Sequence, residues 1–218
     1  MPLCNGFGFL IVYRMNGFFA QQKTESGKER SCCMINLEEF VKRNYPLIKD
    51  LGLSIKTEES VAIDSLKKYP PEMYEDLSEE ELLPFLIFSI EFTDVFSTDF
   101  EGIAYDEFLK KCQNISAGDL TFEDVNNEVS IETLEKGEGT SEVSFKCNGS
   151  EYKFTATIFY DWFDVKFITY LNGILEKMGI ENRFIIFGDP NGAFVTYQKP
   201  DFCKKINLLF PEFEADVA

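Results

Sequence analysis

Asp161 and Asp164 flank Trp162 and Phe163. Two carboxylates around an aromatic are the composition of a sugar-cleaving site, where one acid protonates the leaving oxygen and the other acts as nucleophile or base. At a strand-to-helix junction the same spacing has a simpler reading: a turn aspartate, a helix cap at Asp164, and Trp162 packed over the helix. Asp189-Pro190-Asn191-Gly192 offers oxygens to a cation but lacks the later glutamate and alternating ligands of a calcium loop, so it reads as a turn. Asn148-Gly149-Ser150 has the form of a glycosylation acceptor, and the hairpin signal Asn-Gly explains it equally well.

The absence of histidine removes Ser-His-Asp and Cys-His nucleophiles, His-ligated zinc and the imidazole acid/base. Cys4, Cys32, Cys33, Cys112, Cys147 and Cys203 form no C-x-x-C pair, so neither a zinc ribbon nor a thioredoxin-like motif is present. They read as reduced thiols, with Cys112 and Cys147 packed as small hydrophobes; vicinal Cys32 and Cys33, close to Lys28 and Arg30, are the pair with reactive potential. No phosphate loop or dinucleotide fingerprint appears, and no cofactor or metal is expected.

Charge is the strongest signal. The 218 residues carry a formal charge of −17, which repels nucleic acid and anionic lipid and favours a basic macromolecule as partner. Residues 69–135 hold eighteen acids against Lys110 and Lys111, a net of −16, while the rest of the chain, with twenty acids and nineteen bases, nets −1. Aromatics are interleaved with these acids, and an aromatic anchor inside an acidic rim is a composition of tight protein interfaces. The expected partner-binding set is Glu79, Glu80 and Glu81, then Asp94, Phe96, Asp99, Phe100 and Glu101, and finally Tyr105, Asp106 and Glu107. The competing reading is a solvated acidic face with Phe96 and Phe100 closing the core.

With 23 Phe, 9 Tyr and 1 Trp the chain has the apolar area for a sizeable core. The apolar run at residues 7–13 stops at Arg14, far short of the ~20 residues of a membrane span, so a soluble protein is expected. Residues 1–33 read as a loosely attached arm, a signal peptide being the alternative. Residues 34–218 read as a single α+β domain, helical over 34–83 and sheet-rich over 84–218. Asn36 and Glu39 precede a helical stripe of Leu37, Phe40, Val41, Tyr45 and Ile48 that Gly52 ends; a second helix is expected over 58–68, and a third starts at Ser78. Residues 85–92 read as a buried strand, 105–112 as a short helix, and 129–134 as a strand beside the hairpin of 141–147 and 151–160. A helix through Ile168, Leu171, Leu175 and Met178, ending at Gly179, then separates that hairpin from a second one over 183–187 and 193–198. This C-terminal ββαββ order with tight hairpins requires an antiparallel sheet, with helices packed mainly on one face.

The run Tyr160-Asp161-Trp162-Phe163-Asp164, continuing through Leu171-Asn172, Leu175, Gly179 and Arg183-Phe184, resembles segments of small bacterial immunity proteins of polymorphic-toxin and contact-dependent inhibition systems. The resemblance covers about a quarter of the chain and transfers no binding residue. It implies a cytoplasmic, non-enzymatic protein that occludes a cognate basic toxin domain, in some cases a nuclease. Two further readings stand beside it: a carboxylate-based hydrolase using Asp161 and Asp164, and an accessory or scaffold protein whose acids merely solvate it.

Overall fold

The computed structural model describes residues 35–217, apart from residues 75, 103, 190 and 191. The expected N-terminal arm, with Cys4, Cys32 and Cys33, and the tip of the 189–192 turn lie outside the described residues.

Asn36 opens helix α1 (Leu37–Asp50) by accepting from the amides of Glu38 and Glu39, which leaves Leu37, Phe40, Val41 and Ile48 on the buried stripe. Helix α2 (Glu59–Leu66) buries Ala62, Ile63 and Leu66. Ser78 and Glu81 form a reciprocal capping box that starts α3 (Glu79–Phe88). This helix overturns the strand expected over 85–92. Phe85, Leu86 and Ile87 are strand formers by propensity, yet they continue a helix already nucleated by the cap, and burial on most sides erases the helical period that would have revealed it.

Strand β1 (Val95–Thr98) leads to α4 (Tyr105–Ile115), the short helix expected, one turn longer. Strand β2 (Phe122–Glu128) then pairs with β3 (Glu138–Cys147), which pairs with β4 (Ser150–Phe159) across the Asn148-Gly149 turn. Both turn residues have positive φ, +48° and +78°, the geometry for which this dipeptide is suited. The strand expected over 129–134 is corrected: β2 takes that place, and Ile131–Lys136 is helix α5. Ser130 caps it through the Thr133 amide, Glu132 and Lys136 pair one turn apart, and Gly137 ends it at φ +67°. Helix α6 (Lys166–Lys177) follows, then the hairpin of β5 (Arg183–Asp189) and β6 (Gly192–Gln198). Helix α7 (Asp201–Leu209) and strand β7 (Asp216–Val217) complete the chain and lie beyond any element read from the sequence.

The fold is α+β, with two antiparallel sheets in the orders β1-β6-β5-β7 and β2-β3-β4, so the two C-terminal hairpins belong to different sheets. Side chains of the four-stranded sheet alternate between two cores. Ile185, Phe187 and Phe194 join Phe40, Leu66, Leu86 and Phe202 from α1, α2, α3 and α7. Phe184, Val195 and Tyr197 face the other way, toward Leu109 of α4, Phe167 and Leu171 of α6, and Val143 and Phe145 of the three-stranded sheet. Helices therefore cover both faces of this sheet, where the sequence suggested mainly one. A covered sheet face needs an apolar partner, and one set of helices cannot serve both sides. Among the described residues no helix is long and apolar enough to cross a membrane.

Asn172 is the buried polar joint of the second core. Its amide donates to the Phe184 carbonyl at 2.9 Å and its oxygen accepts from the Phe184 amide at 2.8 Å, tying α6 to the start of β5. Asn172→Ala, which favours the helix but orphans two buried backbone groups, is expected to lower stability by about 2–3 kcal/mol in urea unfolding. A change below about 0.5 kcal/mol would show that the joint is not needed.

Candidate aromatic docking site

The junction between β4 and α6 is fixed from the inside by two residues. Phe163 is buried, with ring centroids 4.6 Å from both Tyr105 and Phe108 and 5.9 Å from Phe100. Asp164 spends both carboxylate oxygens on backbone: Oδ2 accepts from the Thr157 amide at 2.8 Å and Oδ1 from the Lys166 amide at 3.1 Å. Expected as the N-cap of α6, Asp164 instead stands one residue earlier: Val165 holds the cap position, and Asp164 reaches past it to the Lys166 amide. Asp161 is exposed, while Asp164 is engaged by the Thr157 and Lys166 amides.

With Phe163 and Asp164 held inward, the neighbouring aromatics are driven out. Phe159 is 61% exposed, Tyr160 64% and Trp162 37%. Trp162 therefore reaches the surface with part of its ring exposed. Ile131 and Leu134 of α5 are also exposed large apolar side chains. The junction and α5 meet at Gly137: the Tyr160 amide donates to the Gly137 carbonyl at 2.6 Å, and a Cβ at Gly137 would come within 2.9 Å of the Tyr160 ring. Tyr160 itself has φ +54°, a left-handed conformation costly for an aromatic residue. Phe100 has the same φ, and its carbonyl accepts from the Phe163 amide at 2.9 Å, while Glu101 bridges to Trp162. Two aromatic positions at this junction, Phe100 and Tyr160, are thus held in the left-handed region, a conformation associated with sites under functional constraint. An open groove of about 460 Å³ is lined by Gly102, residues 134–137, Tyr160 and Asp161.

The acids of the middle third are carried by different elements and several are spent within the fold. Glu79 pairs with Arg43, Glu81 is taken up by the capping box, and Glu80 is exposed beside them, all on α3 in the first core. Asp94 is structural: its carboxylate accepts from the Ser54 amide at 2.9 and 3.0 Å and from Gln198 at 3.3 Å. Phe96 is half-buried, edge-on to Phe108, with the Lys111 ammonium 5.6 Å over its ring. Phe100 and Tyr105, expected as partner anchors, are core residues at 6% and 0% exposure. The spacing of Tyr105, Phe108, Leu109 and Cys112 is the buried stripe of α4, which accounts for the correction. Asp99 and Glu101 remain in the loop that reaches Trp162, with Asp106 and Glu107 exposed in the first turn of α4 behind it.

The sequence reading passed over Phe159, Tyr160, Ile131 and Leu134. One signal was available: β4 alternates, with Ala156 and Ile158 inward, and Phe159 falls on the outward register where a polar residue is usual. Among the described residues no three His, Cys, Asp or Glu side chains converge to hold a metal ion. Cys112 and Cys147 are buried small hydrophobes, and burial pushes the Cys147 thiol up to about 11.

Burial pushes the Tyr105 hydroxyl up to about 12. An unfolded tyrosine ionises near ~10, so the stability tied to this group is complete below ~10 and falls as pH rises toward 12. Tyr105→Phe is expected to flatten that alkaline loss in urea titrations at pH 9 to 11; an unchanged slope would place its origin elsewhere. At the surface, Tyr160→Gly is expected to leave the unfolding midpoint unchanged or raised and Tyr160→Val to lower it by about 1 kcal/mol, since only glycine accepts this φ freely. Equal losses from both would show that the ring, not the backbone, matters there.

Comparison of the chain with family models, with curated proteins and with solved structures finds no match.

Proposed function

We propose that this protein is an immunity-type inhibitor that docks a basic toxin domain through the patch formed by Phe159, Tyr160 and Trp162 and occludes the toxin's substrate path. The observation that carries the reading is the patch itself. Three consecutive-region aromatics are exposed at the end of a strand whose junction is pinned by Phe163 and Asp164, so their outward placement is enforced by the fold. Aromatic side chains on a rigid support lose little conformational entropy on binding and are enriched among interface hot spots.

Electrostatics supports a cationic partner. Glu101, Glu135 and Asp161 border the patch, and the whole chain carries −17, which speeds encounter with a positive surface and disfavours nucleic acid. The resemblance of the 160–184 region to immunity proteins points the same way and implies a cytoplasmic protein. In this reading the long-range field governs the on-rate and the aromatics govern the off-rate.

The test is co-expression with the product of the adjacent gene, followed by measurement of complex stoichiometry and toxin activity. A one-to-one complex that abolishes the activity is expected, with Trp162→Ala weakening it by about 2 kcal/mol through faster dissociation. Reversal of Glu101, Asp106 and Glu107 to lysine is expected to slow association and reduce its salt dependence. No complex at low ionic strength, or a complex indifferent to Trp162→Ala, would sink the proposal.

A further inference from the structure

The groove beside Tyr160 has a composition more specific than that of the patch as a whole. The Tyr160 ring lines it, lying against Gly137 with the Phe159 ring edge-on at 5.0 Å, and is 64% exposed. Glu135 and Asp161 both line it, both are solvent-exposed, and among the described residues neither is in a salt bridge. The cation in the lining, Lys136, is already neutralised by Glu132, with Nζ to Oε1 at 2.6 Å. Leu134 supplies an apolar wall. An aromatic face with two uncompensated carboxylates around it is complementary to a planar cation: the face attracts positive charge through its quadrupole, and the carboxylates accept the in-plane N–H groups.

From this geometry we infer that the groove is the seat for an arginine side chain of the partner, its guanidinium stacked on Tyr160 and hydrogen-bonded to Glu135 and Asp161. Arginine fits better than lysine, because a planar fork stacks and bonds two carboxylates at once, whereas an ammonium is a compact, strongly hydrated point charge. Gly137 makes the seat possible: any side chain there would strike the Tyr160 ring and displace it from the groove. The strained backbone of Tyr160 is what turns that ring across the glycine.

The inference deepens the docking reading and rests on it, but it can be tested without a protein partner. Trp162 is the single tryptophan of the chain and adjoins Asp161, so its emission reports on this region alone. The full chain is titrated at constant ionic strength with Nα-acetyl-argininamide, its lysine counterpart and its neutral citrulline counterpart, and amide shifts of Gly102 and Gly137 are followed by NMR. Saturable binding with a dissociation constant on the order of millimolar is expected for the arginine compound, weaker for lysine and absent for citrulline. Glu135→Gln and Asp161→Asn are each expected to weaken it roughly threefold to fivefold, as is Tyr160→Leu. Equal responses to arginine and citrulline, no saturable response, or a stronger response to a neutral disaccharide would overturn the assignment. Arginine binding without any protein complex would mean that the docking reading alone had failed. A tight complex indifferent to Glu135→Gln and Asp161→Asn would mean that the arginine seat alone had failed.

Discussion

The four-stranded sheet is buried on both faces, and most of the architecture follows from that. Successive side chains of β5 and β6 must enter opposite cores, so Phe184 and Ile185, or Phe194 and Val195, are neighbours in sequence that never share an environment. A polar residue in such a strand must find a bond, as Thr196 does by donating its hydroxyl to the Asp94 carbonyl at 2.8 Å. Asp94 in turn holds Ser54, so the loop after α1, the edge strand and the sheet centre are linked through one short chain of hydrogen bonds.

The second core transmits this order to the surface. Tyr105, Phe108, Phe163 and Phe167 form one aromatic cluster, with centroid separations from 4.6 to 6.4 Å. Because Phe163 belongs to it, the residues on either side in sequence have no room within and are presented outward. The exposed patch is thus a by-product of core packing, and its side chains are oriented by a backbone that carries interior constraints on one side and solvent on the other.

Much of the fold was legible where a local chemical reason was decisive. Asn36, Ser78, Asn148-Gly149 and Gly179 each marked a boundary because capping and turn geometry depend on single residues. Legibility failed where periodicity was the guide and burial had erased it. Residues 85–88 look like a strand because an all-round buried helix shows no polar face. Residues 131–134 look like a strand because Ile131 and Leu134 are apolar yet exposed. Two of the expected partner anchors, Tyr105 and Phe100, stand among acids in sequence and inside the core in space. Linear proximity to charge says little about which way a ring points, whereas the register of β4 did say it for Phe159.

Asp164 also decides how the three-stranded sheet ends. Its carboxylate takes the outward Thr157 amide and the Trp162 amide donates to the Phe159 carbonyl at 3.1 Å, so two outward groups at the end of β4 are satisfied beside the patch. A polypeptide approaching this end of the strand meets two backbone groups already taken, which disfavours strand addition at this corner and shifts recognition toward shape and side-chain chemistry.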